Sequence, residues 1–129
     1  MAKLLILLWV SWAGKTSVLN GSGILQRDDF SYVPSYTTRE LRPGEVNGAK
    51  YHHISEWAFE QAIMRDECLE HATYALNMYG TKKKDVMDVL SQWKNVVKEM
   101  EMNGFLQLEE KKDSLDFILS NICDLVMGD

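Results

Sequence analysis

Ser35-Tyr36-Thr37-Thr38-Arg39-Glu40-Leu41-Arg42-Pro43-Gly44-Glu45-Val46-Asn47-Gly48 is the stretch around which the rest of this 129-residue chain falls into place. Its second half, from Arg42 to Gly48, is dense in turn residues and predicts a loop. Its first half closes a segment, Phe30 to Thr38, with the alternation of a strand and with Tyr32 and Tyr36 among the β-formers. Pro34 has no N–H for a ladder and marks that segment as an edge or an irregular piece. Arg39 and Arg42 lie three positions apart beside the turn, so they can present two planar forks to one phosphate. Either arginine alone would read as a solvated loop residue. The joint spacing is what gives the pair weight.

Upstream, Leu4-Leu5-Ile6-Leu7-Leu8 is an apolar run without alternation, as expected for a strand covered on both faces of a parallel sheet. It is too short to span a bilayer, which needs about 20 apolar residues. It also lacks a small-residue cleavage site, so a buried strand is expected there and not a signal peptide. Gly14-Lys15-Thr16 follows, and Thr16 to Gln26 reads as a short helix. Downstream, Tyr51 to Ile54 reads as a strand, and Ser55 as the N-cap of a helix from Glu56 to Arg65 with Phe59 and Ile63 on its buried stripe. Leu69 to Tyr74 and Asn77 to Thr81 are two more short strands around a tight connection. Asp85 to Trp93 is a helix with Val86, Val89 and Leu90 inward; Asn95 to Glu101 is a strand, and Phe105 to Lys112 begins a helix. Leu115, Ile118, Leu119, Ile122, Leu125 and Val126 follow i, i+3, i+4, i+7 spacing and predict a final amphipathic helix.

Strands alternating with helices imply an α/β fold with a parallel core sheet. One domain is expected over residues 1–129, with residues 1–36 and 83–129 as the core and 37–82 as an inserted segment of short strands. Hydrophobic residues make up 46% of the chain, enough for a packed core. The formal net charge of -5 argues against nucleic acid or an anionic membrane as partner. Cys68 and Cys123 match no metal or disulfide spacing, which fits reduced thiols in a cytoplasmic protein. His52, His53 and His71 likewise show no metal-ligand spacing.

The quoted stretch resembles the signature of guanylate kinase, Ser-x-Thr-Thr-Arg-x-x-Arg-x-Gly-Glu-x-x-Gly followed by a Tyr. The resemblance continues through Tyr51-His52, Leu69-Glu70, Asn77-Met78-Tyr79-Gly80-Thr81 and Met102-Asn103-Gly104, covering residues 1 to about 110. It implies a P-loop nucleoside monophosphate kinase fold, here with about three core strands, and transfer of the γ-phosphoryl group of ATP to GMP. By that resemblance Ser35, Arg39, Arg42, Tyr51 and Tyr79 contact the GMP phosphate, and Arg39 and Arg42 are counted with Lys15 as catalytic. Glu70 would accept from guanine N1–H and the exocyclic amine, a donor pair that adenine lacks. Thr81 would contact guanine O6, and Glu101 is an acidic position near nucleotide and metal.

The phosphate loop departs from the family pattern. Trp9-Val10-Ser11-Trp12-Ala13-Gly14-Lys15-Thr16 keeps Gly14, Lys15 and Thr16 for ATP phosphates, with Thr16 holding Mg²⁺ when ATP is bound. Trp9 and Trp12 stand at two glycine positions, where a left-handed conformation would cost a tryptophan about 1–2 kcal/mol, so ATP binding is expected to be impaired. After Lys112 one helix is expected where the family carries two further core strands and a lid bearing arginines. On that reading the first strand becomes a sheet edge, to be covered by Trp9, Trp12 and the final helix or by a second copy of the chain. Two other readings compete with GMP binding. One is a catalytically inactive guanylate-kinase-like module that binds phosphopeptides, and the other is a shortened or engineered chain without activity.

Overall fold

The computed structural model describes residues 4–9, 26–111 and 122–126. The expected helix from Thr16, and Trp12, Gly14, Lys15 and Thr16 of the phosphate loop, lie outside these residues. Two four-stranded sheets organise the described chain, one parallel and one mixed.

The parallel sheet runs in the order β2 (Phe30–Tyr32), β7 (Asn95–Glu101), β1 (Leu4–Trp9), β8 (Ile122–Val126). β1 aligns with β7 from Leu4 opposite Val96 to Trp9 opposite Glu101, and with β8 from Leu4 opposite Ile122 to Leu8 opposite Val126. The apolar run at Leu4–Leu8 is thus a central strand, with Leu4 and Ile6 buried. Helices α2 (Lys83–Leu90) and α3 (Met102–Lys111) supply Val86, Leu90 and Leu108 to the same core as Val96 and Met100. The fold class expected from the sequence is the one observed.

The sheet has four described strands where about three were expected, because Ile122–Val126 is a strand and not the end of an amphipathic helix. A five-residue apolar segment fits either period, and its pairing with the otherwise open side of β1 decides the matter. β1 is therefore not an edge strand among the described residues. With β8 paired along it, β1 offers no open edge for self-association among the described residues. Trp9 is likewise the last residue of an extended strand, so the left-handed cost attached to its glycine position does not arise there.

Phe30–Thr38 divides at Val33-Pro34. β2 pairs with β7 in the core sheet, and β3 (Ser35–Thr37) starts the second sheet. Pro34 cannot continue a ladder, so the chain changes sheets at that point. The second sheet has the order β4 (Tyr51–His53), β3, β6 (Asn77–Lys82), β5 (Cys68–Tyr74). Helix α1 (Glu56–Met64) packs on it through Phe59 and Ala62, and Ser55 caps the helix by accepting from the Ala58 N–H at 3.1 Å.

A two-residue turn joins β5 to β6, with Ala75 at φ 49° and Leu76 at φ 70°. Both residues sit in the left-handed region, as a turn matched to the strand twist demands, and neither is of a type that prefers it. The side chain of Leu76 is almost fully exposed, so little packing compensates. The double substitution Ala75→Asn/Leu76→Gly is expected to raise stability by about 1 kcal/mol, read as a higher urea midpoint at unchanged slope.

Candidate functional site on the polar face of the second sheet

Alternation along each strand and register between strands give the second sheet two chemically different faces. Tyr36 lies opposite His52 and Gly80, and with Met78 it shares the face that meets Phe59 and Ile63 of α1. On the other face Ser35 lies opposite Tyr51, Thr37 opposite both His53 and Tyr79, and Glu70 opposite Thr81. Paired residues project to the same side and residues two apart share a face. Ser35, Tyr51, Tyr79, Thr81 and Glu70 therefore share one polar surface.

At one end of that surface is a buried carboxylate. Glu70 is 8% exposed, and its Oε1 accepts from the fully buried Thr81 hydroxyl at 2.6 Å. Helix α3 fixes the strand behind it: Gln107 accepts from the His71 N–H at 3.0 Å and donates to the His71 carbonyl at 2.6 Å. Gly104 lets the helix approach. A Cβ there would lie 2.7 Å from Glu70 Oε2 and 3.0 Å from Met100 Cγ.

At the other end is the loop after β3. Thr37 anchors its base, donating to the Met78 carbonyl at 2.9 Å and accepting from the Arg39 N–H at 3.1 Å. The Arg39 guanidinium makes a two-pronged pair with Glu45, at 3.1 and 2.8 Å, and stands 5.4 Å from the centroid of the Tyr51 ring. Tyr51 in turn meets Tyr79 edge-on at 5.7 Å. Glu45 Oε1 also accepts from the Arg42 N–H at 3.0 Å, with His53 Nε2 3.6 Å away. His53 Nδ1 is 2.7 Å from the Arg39 carbonyl, which can only accept, so Nδ1 carries a proton. The side chain of Arg42 is exposed, and Glu101 closes β7 opposite Trp9.

Electrostatics at this end follow from the contacts. The Arg39 guanidinium, then the Arg42 N–H, holds the Glu45 carboxyl down at about 2. Burial first, and then the Glu99 charge, pushes the Tyr51 hydroxyl up to about 12 and that of Tyr32 higher still. Glu45 sets an acid limit on loop order. A carboxyl with its pKa depressed in the folded state stabilises that state above its ordinary value near 4.5 and loses the contribution as pH falls toward 2. Exchange protection of the Gly48 N–H, which donates to the Tyr51 carbonyl at 2.7 Å, is expected to fall across that window. In the Glu45→Gln variant it should be lower throughout and show no such transition.

The comparisons with known proteins bear directly on this geometry. The guanylate kinase family model matches residues 1–120. The chain belongs to the guanylate kinase family. Guanylate kinase of Lactiplantibacillus plantarum is 38% identical over 123 residues, covering 95% of this chain and 60% of the relative. That of Latilactobacillus sakei is also 38% identical over 123 residues, covering 95% and 61%. The chain thus spans about three-fifths of the length of these relatives. Among solved structures, guanylate kinase from Anaplasma phagocytophilum matches with a TM-score of 0.72 at 20% identity, covering 98% of this chain and 59% of that one. At that identity the structural match speaks for the fold.

Within the family's signature stretch, Glu45 and Thr37 carry no role in the sequence analysis, although Glu45 holds the Arg39 pair and Thr37 the base of the loop. Reading the sequence also left out Tyr32, Lys98 and Glu99. Lys98 is 1% exposed, and its Nζ donates to the Val33 carbonyl at 2.8 Å and to Ser35 Oγ. The Tyr32 hydroxyl donates to Glu99 Oε1. The available signal was the Lys98-Glu99 pair between Val96-Val97 and Met100 in the middle of a strand. Among the described residues no group of three or more His, Cys, Asp or Glu side chains could hold a metal ion, and no helix is long and apolar enough to cross a membrane.

Proposed function

We propose that the polar face of the second sheet binds GMP as a phosphoryl acceptor. The observation that carries this reading is the placement of a buried, oriented carboxylate and a guanidinium–tyrosine cluster at two ends of one sheet face. Glu70, held from behind by Thr81, offers acceptor capacity to guanine N1–H and the 2-amino group, which adenine cannot match. Thr81 is fully buried and its one proton goes to Glu70, so its part in reading the base is to orient that carboxylate. Arg39, Tyr51, Tyr79 and Ser35 supply donors for the phosphate, and the exposed Arg42 side chain is within the same loop to add a second fork. Family membership supports ATP as the phosphoryl donor. Lys15 would then reach the transferred group, with Mg²⁺ arriving with ATP and held at Thr16 to neutralise charge between its phosphates. Trp12, and Trp9 at the end of β1, put bulk where the family's loop has glycine, so we propose that ATP is bound weakly and that transfer is slow.

Amide NMR of the labelled protein tests the acceptor site. GMP is expected to move the signals of Arg39, Glu70, Gly80 and Thr81, whereas AMP at the same concentration leaves Glu70 and Thr81 in place. Equal responses to both nucleotides, or none to either, would count against the reading.

A further inference from the structure

The buried lysine beneath the phosphate end of the site has a function that can be derived from hydrogen-bond directionality. Lys98 lies mid-strand in β7, yet β2 ends at Tyr32 and the chain turns away at Val33-Pro34. That turn opens the Val33 carbonyl and Ser35 Oγ to the Lys98 Nζ. Glu99 Oε1 stands 3.8 Å from the ammonium and the Tyr32 ring 5.1 Å from it. Burial pushes the Lys98 ammonium below its ordinary value, and the Glu99 and then Glu70 charges work against that shift. A fully buried cation held by one carbonyl and one hydroxyl costs more than an apolar residue of the same volume would, so core packing alone gives no reason for a lysine here.

An ammonium has donors only, whereas a serine hydroxyl has one donor and two acceptor lone pairs. With Lys98 donating to Oγ, the Ser35 proton cannot point back into β7. It must point outward, on the face that Ser35 shares with Tyr51. A hydroxyl already accepting from a cation is also a stronger donor. We propose that Lys98 is a positioning residue: its buried ammonium commits the Ser35 hydroxyl to donate to the phosphate of the bound nucleotide, so that this protein favours a nucleoside monophosphate over the nucleoside. The inference rests on the GMP reading above and adds to it a residue that never touches the ligand.

The test is a double-substitution cycle on the full chain, with GMP and guanosine binding measured by calorimetry. Ser35→Ala alone is expected to weaken GMP about tenfold, the worth of one hydrogen bond to a charged group. Lys98→Met should weaken it at least as much. Combining the two should cost clearly less than the product of the single losses, because without Lys98 the Ser35 hydroxyl can turn its proton to the vacated Val33 carbonyl and serves the phosphate less well. Guanosine affinity should stay within about twofold throughout. Multiplying losses in the double variant, an unchanged GMP affinity in Lys98→Met, or an equal loss for guanosine would each overturn the proposal. Should Lys98→Met not fold, the native protein answers the question through the ¹⁵N signal of the Lys98 ammonium. GMP should shift it and guanosine should not, and an unmoved signal at GMP saturation would overturn the proposal. If the intact protein binds guanosine and GMP equally, Lys98 has no phosphate to serve and the inference fails while base recognition stands. If it binds neither, the functional reading fails and takes the inference with it.

Discussion

Replacing Glu70 with glutamine is expected to cut GMP affinity by at least about 100-fold while leaving the fold intact. Each hydrogen bond that a charged carboxylate accepts contributes about 1.5–3 kcal/mol, and guanine offers two donors side by side. Glutamine keeps an oxygen that can accept from Thr81, whose hydroxyl is buried with Glu70 Oε1 at 2.6 Å, but it turns an NH₂ group toward the base. Donor then meets donor at one of the two contacts, and the penalty of an unmatched polar group is added to the lost bond. Alanine at position 70 should lose guanine as fully, with a further stability loss of about 1–3 kcal/mol because the Thr81 hydroxyl is stranded. A third variant reaches the carboxylate without replacing it. The Cβ of Gly104→Ala would stand 2.7 Å from Glu70 Oε2, so the carboxylate or the helix must shift, and GMP should weaken about tenfold. Calorimetric titration of the three variants beside the parent checks all of these outcomes. Undiminished GMP binding in Glu70→Gln would remove Glu70 from base recognition.

Arg39→Ala is expected to weaken GMP by about 30- to 100-fold and guanosine hardly at all. The guanidinium has five donors in a rigid fork, and it stands 5.4 Å from the Tyr51 ring, which Tyr79 meets edge-on. Glu45 takes two of those donors and the Glu40 carbonyl a third, at 3.0 Å. Glu45 therefore holds the fork in shape, in a pose suited to an oxyanion. Arg39→Lys should behave nearly as badly as alanine, because a point charge on a flexible stem cannot engage Glu45 and a phosphate with the same fixed geometry. The ratio of GMP to guanosine affinity is the quantity to follow. A loss shared equally by both ligands would mean that Arg39 serves loop order alone.

Much of this architecture can be read in the residues themselves. Leu4–Leu8 has no alternation, as suits a central strand of a parallel sheet, and Ser55 announces the helix it caps by placing a hydroxyl before an apolar stripe. Asn77 to Thr81 shows period-two alternation that sends Tyr79 and Thr81 to one side. What the sequence cannot supply is register. That Glu70 faces Thr81, or Ser35 faces Tyr51, depends on how strands distant in the chain are paired. Ile122–Val126 was misleading for a related reason: the apolar spacing fits a helix, and only the open side of β1 makes it a strand. Lys98 is the sharpest case. A lysine inside a strand suggests a solvated face, and its burial becomes intelligible only when the break at Pro34 brings the Val33 carbonyl and Ser35 to it.

The most direct test of the central claim is a calorimetric titration of the intact chain with GMP, with AMP in a parallel cell. Selective, saturable GMP binding with no heat from AMP is the predicted result. Equal binding of the two nucleotides, or no binding of either, would contradict the assignment of the polar sheet face as a guanine monophosphate site.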